Sequence, residues 1–151
     1  MSVELVILMA EDNEGHFVLA ENYFARMGVQ NELIWFADGQ ETIDYLFTSD
    51  GHARPHPGKQ FILFLDIRMP NMDGWEVLQR IKSCPRLTDL PVVMLTAMEN
   101  PEDIDKGMEL GCSAYIVKPV KYSSYIDAMK KVGLFPSVVA GGVELMSKCS
   151  A

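Results

Sequence analysis

The chain has 151 residues, of which 48% are hydrophobic, so it is long and apolar enough for one domain with a buried core. Its formal net charge is −8 and no stretch concentrates lysine or arginine, which argues against a nucleic-acid partner and against an anionic membrane surface. No apolar run approaches the roughly 20 residues that a membrane-spanning helix needs.

The N-terminus and the cysteines both indicate a reducing compartment. The first residues carry Glu4 and no basic region, unlike a secretory signal peptide. Cys84, Cys112 and Cys149 are an odd number without metal-ligand spacing, which is typical of reduced thiols. We therefore expect a cytoplasmic protein.

Apolar runs and helical patterns alternate along the chain. In chain order they predict strand 3–9, helix 15–27, strand 31–36, helix 39–47, strand 61–65, helix 75–83, strand 90–96, helix 101–110, strand 114–117 and helix 123–132. Asn100 is the expected N-cap of the fourth helix, with Pro101 at its first position. Residues 48–60 form a polar loop that is either an insertion or a mobile contact surface.

Five strands that alternate with five helices predict an α/β fold, with a parallel sheet covered on both faces. The remaining residues, 133–151, are too few for a second domain but more apolar than a disordered tail. Two alternatives stay open for this tail: it packs on its own domain or on a partner.

Polar side chains stand at the carboxyl ends of four predicted strands, where open parallel sheets bind their ligands. They are Glu11 and Asp12 after the first strand, Asp66 after the third, Thr96 at the fourth and Lys118 after the fifth. The second strand ends in apolar Trp35 and Phe36 and contributes nothing obvious. Each polar residue alone could be an ordinary loop, cap, strand or surface residue, but their coincidence at one edge favours a site.

The residue types at this edge suit phosphoryl chemistry. Three neighbouring carboxylates repel one another unless a cation such as Mg²⁺, which prefers oxygen ligands, lies between them. Lys118 can pair with an anion and Thr96 can donate a hydrogen bond to it. A carboxylate in such a site can act as the nucleophile and form an aspartyl phosphate.

Four motifs carry a family resemblance: EDN at 11–13, LDIRMPNMDG at 65–74, LTA at 95–97 and KPV at 118–120. As an ordered set they closely resemble the receiver domain of two-component response regulators. The resemblance implies a flavodoxin-like, doubly wound sheet in the strand order 2-1-3-4-5. Residues 1–132 would be the receiver domain, and residues 133–151 a C-terminal extension without an output domain.

The resemblance also implies a role for each acidic residue. Asp66 would be the phosphoacceptor. Asp12 and Asp66 would bind Mg²⁺ (or Mn²⁺) directly, and Glu11 would act through water. The backbone carbonyl of Arg68 would be a further ligand.

A second group of implied roles concerns the bound phosphoryl group and its signal. Thr96 and Lys118 would contact the phosphoryl group, and small Ala97 would leave it accessible. The Lys118–Pro119 peptide bond is expected to be cis. Tyr115 would be the switch aromatic, which turns inward when Thr96 moves.

The implied partners are proteins. A sensor histidine kinase or a phosphotransfer protein would donate the phosphoryl group, and a downstream protein or another phosphotransfer protein would receive the signal. The 48–60 loop and the tail resemble those of stand-alone regulators that accompany phytochromes. A homodimer through the fourth helix, the fifth strand, the fifth helix and the tail is a further expectation; the alternative is a tail folded back on its own domain.

Three other functions compete with a signalling switch that only phosphorylates and dephosphorylates itself weakly. A haloacid-dehalogenase-type phosphatase needs a second Asp two residues after its nucleophile, where this chain has Arg68. A pseudo-receiver that only binds partners requires the loss of a site residue, and none is lost. A flavodoxin-type electron carrier needs a phosphate loop where this chain has Glu11 and Asp12. The sequence therefore predicts a switch and not an enzyme with an external substrate.

Overall fold

The computed structural model describes residues 3–97, 101–139 and 142–147. The predictions for Asn100 and Cys149 lie outside these residues. The secondary-structure elements are β1 (Glu4–Ala10), α1 (Glu14–Arg26), β2 (Leu33–Phe36), α2 (Gly39–Leu46), β3 (Lys59–Asp66), α3 (Gly74–Ser83), β4 (Val92–Thr96), α4 (Pro101–Glu109), β5 (Ala114–Val117), α5 (Tyr122–Lys131), β6 (Leu134–Val139) and β7 (Gly142–Ser147). Among the described helices, none is long and apolar enough to cross a membrane.

The first five strands form one parallel sheet in the order β2-β1-β3-β4-β5, which confirms the predicted fold. Alternate residues of the central strands point to opposite faces of the sheet. In β1, Val6 and Leu8 pack in the cluster that contains α2 and α3, whereas Ile7 and Met9 pack in the cluster that contains α1 and α5. Both faces are therefore apolar, which explains why the central strands read as continuous apolar runs.

The loop between α2 and β3 is held in place by specific contacts. The Thr48 amide donates to the His52 carbonyl at 2.7 Å, and the Arg54 amide donates to the Leu46 carbonyl at 2.8 Å. The His56 ring stacks on Tyr45, with 4.5 Å between the ring centroids. Of the two sequence-based interpretations, these contacts favour an insertion anchored on the domain.

The tail contains an element that the sequence analysis did not predict. Strands β6 and β7 pair as an antiparallel sheet of two strands. Leu134, at the start of β6, is buried in the core cluster beside α5. The tail therefore begins by packing on its own domain, which is one of the two alternatives left open.

Gly74 lets the start of α3 lie directly against the end of β3. A Cβ atom at this position would lie 2.3 Å from the carbonyl oxygen of Asp66 and 2.9 Å from the Cα atom of Ile67. Both contacts are with backbone, so they cannot be relieved by a side-chain rotation. The glycine thus fixes the distance between the helix and the strand end that carries Asp66.

We expect Gly74→Ala to lower the free energy of unfolding by about 1–3 kcal/mol, since the new methyl group must displace the strand end or the helix. Urea denaturation monitored by circular dichroism measures the change. The matched control is Gln79→Ala on the exposed side of α3, which should alter stability by less than about 0.5 kcal/mol. Equal stability of the glycine variant and the parent would show that α3 does not depend on this contact.

Candidate functional site

The sheet brings the predicted polar residues together at one edge. Register pairs Ala10 with Leu65, Asp66 with Leu95 and Thr96 with Val117, so the carboxyl ends of four strands lie side by side. The Glu11 amide continues the edge by donating to the Phe36 carbonyl at 3.0 Å. Because these strands end at the same edge of the parallel sheet, the side chains that follow each strand lie in one cleft.

Glu11, Asp12 and Asp66 form the acidic part of the site. Each offers a carboxylate oxygen within 4.8 Å of the other two. Glu11 and Asp66 are only 1% and 6% exposed, whereas Asp12 is exposed to solvent. Two of the three carboxylates are thus removed from water, where uncompensated charge is costly.

Lys118 provides positive charge between the two buried acids. Its Nζ atom donates to Glu11 Oε1 at 2.7 Å and to Asp66 Oδ2 at 3.0 Å. Burial would lower the pKa of Lys118, but the hydrogen bonds and negative charges of Glu11 and Asp66 outweigh it and raise that pKa. Lys118 therefore stays charged in the cleft. Its amide donates to the Thr96 carbonyl at 2.7 Å, which fixes the start of the following turn.

The two buried acids have opposite pKa shifts. Burial, followed by the adjacent Glu11 carboxyl, raises the pKa of Asp66 to about 7. Burial would also raise the pKa of Glu11, but hydrogen bonds with Asp66 and Lys118 reverse the direction and lower it. Near neutral pH and without a further cation, Glu11 is the ionised member of the pair and Asp66 holds a proton for part of the time.

A cleft of about 570 Å³ opens above Asp12 and Asp66. Thr96 is buried beside it and Ala97 is exposed at its rim. The Arg68 amide donates to Asp66 Oδ1 at a long 3.4 Å, so the chain after β3 turns back towards the carboxylate. The Lys118–Pro119 peptide bond is cis.

Tyr115 lies on β5 outside this cleft. Its ring is 37% exposed, and Lys131 Nζ lies 5.8 Å from the ring centroid. Tyr115 and Thr96 line one small cavity of about 10 Å³ together with Ile104 of α4. This cavity is too small for an aromatic ring, so an inward rotation of Tyr115 would require α4 to move.

Two residues that the sequence analysis did not assign to the site contact Glu11. Trp35 Nε1 donates to the Glu11 carbonyl at 2.7 Å, and the Trp35 ring stacks on Phe17 with 4.9 Å between centroids. The second strand, which showed nothing obvious in the sequence, therefore adds a backbone contact to the site through Trp35. His16 Nδ1 lies 3.0 Å from Glu11 Oε1. The sequence feature that could have indicated a role for Trp35 is its indole N–H donor near the end of a strand that was predicted to lie beside the acids.

Comparison with known proteins assigns the family. The model of the response regulator receiver domain matches residues 7–130, which is most of the chain. The chain therefore belongs to the receiver domain family of two-component response regulators.

Relatives with similar lengths support this assignment. The chain is 35% identical over 127 residues to a probable methanogenesis regulatory protein, FilR2, of Methanothrix harundinacea, covering 84% of this chain and 80% of that protein. It is 34% identical over 113 residues to the response regulator Rcp1 of Synechocystis, covering 75% of this chain and 76% of Rcp1. The structure of the bacteriophytochrome response regulator AtBRR is 34% identical, with a TM-score of 0.76, and the match covers 92% of this chain and 99% of that one.

Family membership defines the general activity. Receiver domains accept a phosphoryl group from histidine kinases and signal by a conformational switch, and they are generally signalling modules and not enzymes. They bind Mg²⁺ or Mn²⁺ at an acidic pocket. The Mn²⁺-bound structure of Rcp1 is 31% identical to this chain with a TM-score of 0.64, and the match covers 84% of this chain and 88% of that one.

The raised pKa of Asp66 predicts a pH dependence of stability in metal-free buffer. Its folded pKa of about 7 exceeds the ordinary 3.8, so between these values the folded state binds a proton that the unfolded state has released. The free energy of unfolding should therefore fall as pH rises through this window, by at most about 1.4 kcal/mol per pH unit from this group. Urea denaturation in EDTA at several pH values measures the slope.

Asp66→Asn removes this titrating group, so its slope should be flatter than that of the parent. The control is Asp127→Asn, which changes an exposed aspartate on α5 and should leave the slope unchanged. Parallel stability curves for the parent and Asp66→Asn would contradict the raised pKa.

Proposed function

We propose that this chain accepts a phosphoryl group on Asp66 and signals through the surface formed by α4, β5 and α5. The observation that supports it most is the environment of Asp66. Its carboxylate is buried at a strand end, receives a hydrogen bond from Lys118 at 3.0 Å and has the acids Glu11 and Asp12 beside it. A carboxylate that is held rigidly between an ammonium group and a cation site can act as a nucleophile towards phosphorus, because the two positive charges offset the negative charge of the phosphoryl oxygens.

The residues present fit a divalent cation. Oε2 of Glu11 is buried and has no hydrogen-bond partner among the described residues, so its negative charge lacks a compensating donor. We infer that Asp12 and Asp66 hold Mg²⁺ or Mn²⁺ directly, with the Arg68 carbonyl as a further ligand and Glu11 acting through water. Bound there, the cation would neutralise negative charge around the phosphoryl oxygens. The Mn²⁺-bound structure of Rcp1 supports the same chemistry for a relative.

In the proposed transfer, an Asp66 carboxylate oxygen attacks phosphorus. The bond from phosphorus to the donor breaks, and the donor leaves with the electron pair and takes up a proton from solvent. Lys118 and the Thr96 hydroxyl would bind the phosphoryl oxygens, and exposed Ala97 would leave room for the donor. The chain thereby promotes only its own phosphorylation and, with water as the acceptor, its slow dephosphorylation.

The phosphoryl group would also change the partners of Lys118. Lys118 is bound to Glu11 and Asp66 in the unphosphorylated structure, and a new phosphoryl dianion competes for its hydrogen bonds. Thr96 would follow the same group, and space vacated by Thr96 would admit the Tyr115 ring. Helix α4 forms one wall of the small cavity, and Gly107 is its one buried residue among those that the structure describes. Moving α4 would therefore break few buried contacts and cost little free energy.

We infer that the phosphodonor is a histidine kinase or a phosphotransfer protein that contacts α1. Val18 and Leu19 are exposed apolar residues on this helix, and Leu19 lines a cavity of about 190 Å³ together with Lys118 and Pro119. An exposed apolar surface next to the phosphoacceptor suits transient protein contact. The likeness to bacteriophytochrome response regulators and to Rcp1 supports a phytochrome-type kinase.

We further propose a cytoplasmic protein whose output is protein contact. The receiver domain would span residues 1–132, and residues 133–151 would extend it as a contact surface. Exposed Met108 on α4 and Tyr115 on β5 give the α4-β5-α5 surface an apolar component that suits a homodimer, a downstream protein or a second phosphotransfer protein.

Incubation with acetyl phosphate and Mg²⁺ should add the mass of one phosphoryl group, because the site supplies nucleophile, cation and ammonium group without help from a kinase. Intact-protein mass spectrometry detects the adduct. Asp66→Asn should abolish it, whereas Asp73→Asn, at the N-cap of α3, should keep it. No adduct on the parent at any Mg²⁺ concentration would reject the proposed function.

Tyr115→Ala should accept the phosphoryl group but lose the structural response. Lys106 of α4 lies 4.7 Å from the centroid of the Trp75 ring, so Trp75 fluorescence reports the position of α4. With acetyl phosphate and Mg²⁺, we expect a fluorescence change in the parent that falls by more than half in Tyr115→Ala. Tyr115→Phe, which keeps the ring, should retain the change, and Trp75→Phe should leave only the part that comes from Trp35. A full response from Tyr115→Ala would exclude the aromatic switch.

A further inference from the structure

The two carboxylate oxygens of Glu11 have different environments. Oε1 accepts a hydrogen bond from Lys118 at 2.7 Å and lies 3.0 Å from His16 Nδ1. Oε2 is buried without a partner among the described residues. The carboxylate is therefore held by Lys118 and His16 through Oε1, while Oε2 has no donor in the described part of the chain to compensate its charge.

His16 is placed for this contact by the start of α1. Asn13 is the N-cap of this helix, and its side chain accepts a hydrogen bond from the His16 amide at 3.1 Å. The imidazole is about half exposed, at 52%, and it lines the cleft above Asp66. The ring thus reaches Glu11 from the solvent side, opposite the buried sheet.

The geometry indicates which atom carries the proton. Lys118 Nζ lies 3.3 Å from His16 Nδ1 as well as 2.7 Å from Glu11 Oε1. Lys118 has donors only, whereas Glu11 Oε1 can accept from two donors. Lys118 donates to both Glu11 and Asp66, and we assign the proton to Nδ1 of His16, so that the imidazole is a second donor to Glu11 Oε1. Neutral imidazole in this tautomer and charged imidazolium both make this bond.

We propose that His16 is a positioning residue: its Nδ1–H holds Oε1 of Glu11 so that Oε2 stays directed at the divalent cation. The inference rests on the proposed function, in which Lys118 turns towards the phosphoryl group. Glu11 then loses its Lys118 bond, and His16 becomes the remaining donor to Oε1. Partners of this kind orient the groups around a metal and set its affinity.

The test is Mg²⁺ binding by the full chain without phosphodonor, at the same pH for every variant. Trp35 donates to the Glu11 carbonyl, so its fluorescence reports on this loop, and isothermal titration calorimetry gives an independent constant. His16→Ala should weaken Mg²⁺ binding by about 10-fold. His16→Asn should restore it to within about 3-fold of the parent, because the Asn amide nitrogen occupies the place of Nδ1. His16→Gln places its amide near Nε2 instead and should not restore it.

A cycle with Lys118→Ala separates positioning from a general structural effect. In the Lys118→Ala background His16 is the remaining donor to Oε1, so His16→Ala should weaken Mg²⁺ binding more than it does in the parent. Asn22→Ala, an exposed change on the same helix, should leave the affinity unchanged. Circular dichroism and thermal unfolding check that each variant is folded.

The outcomes distinguish this inference from the function on which it rests. If the parent binds Mg²⁺ and His16→Ala binds it equally well, the role of His16 is rejected and the phosphoacceptor site stands. If His16→Asn, His16→Gln and His16→Ala weaken Mg²⁺ binding equally, the role of His16 is also rejected, since the loss of affinity would not depend on a donor at the position of Nδ1. If the parent binds no Mg²⁺, the proposed site and the role of His16 are rejected together.

Discussion

The hydrogen bonds of Lys118 to Glu11 and Asp66 are the interaction on which the site depends. Two buried carboxylates so close together repel each other, and burial adds a desolvation penalty to each. The ammonium group at 2.7 Å and 3.0 Å offsets part of this cost, and it does so from the end of a different strand. The acids can therefore remain close in the folded protein only because β5 and β3 end at the same edge of one sheet.

One side of the cleft is rigid because backbone contacts fix it. Gly74 brings α3 against Asp66, and Gly39 brings α2 against the Met72 carbonyl, where a Cβ atom would lie 2.1 Å from the oxygen. Asn71, with a φ of 67°, donates to the Asp38 side chain at 2.7 Å. The turn after Asp66 is thus tied to two helices, and a phosphoryl group on Asp66 would meet a fixed support.

The opposite side of the cleft is formed by α4, which is more exposed among the described residues. Helix α4 buries only Gly107 among its own residues, and the small cavity between Thr96 and Tyr115 lies beneath it. The α3 side of the cleft is closely packed, whereas the α4 side is loosely packed. We therefore expect a change in charge at Asp66 to move α4 more than α3. Helix α4, together with β5 and α5, forms the surface through which we propose that the signal leaves.

The fold and the main site residues were predictable because each depends on local patterns. Continuous apolar runs such as that before Asp66 identify buried parallel strands, and acids or a lysine directly after such runs identify the ligand-binding edge. The contacts of His16 and Trp35 were not predictable in this way. They depend on how α1 and β2 pack against the loop at Glu11, and no residue spacing in the sequence predicts that packing. The anchoring of the 48–60 loop and the pairing of β6 with β7 likewise depend on tertiary contacts.

The charges in the cleft explain why a divalent cation and an aspartate nucleophile belong together here. With Asp66 ionised, three carboxylates face one ammonium group, and two negative charges remain uncompensated. Without further positive charge the protein relieves this imbalance by raising the pKa of Asp66 to about 7, and a protonated carboxyl group is a poor nucleophile. A divalent cation carries the missing charge and favours the ionised form of Asp66. In the function that we propose, the acids that would bind the cation would therefore also make the reactivity of Asp66 conditional on it, and the orientation of Glu11 would influence both properties.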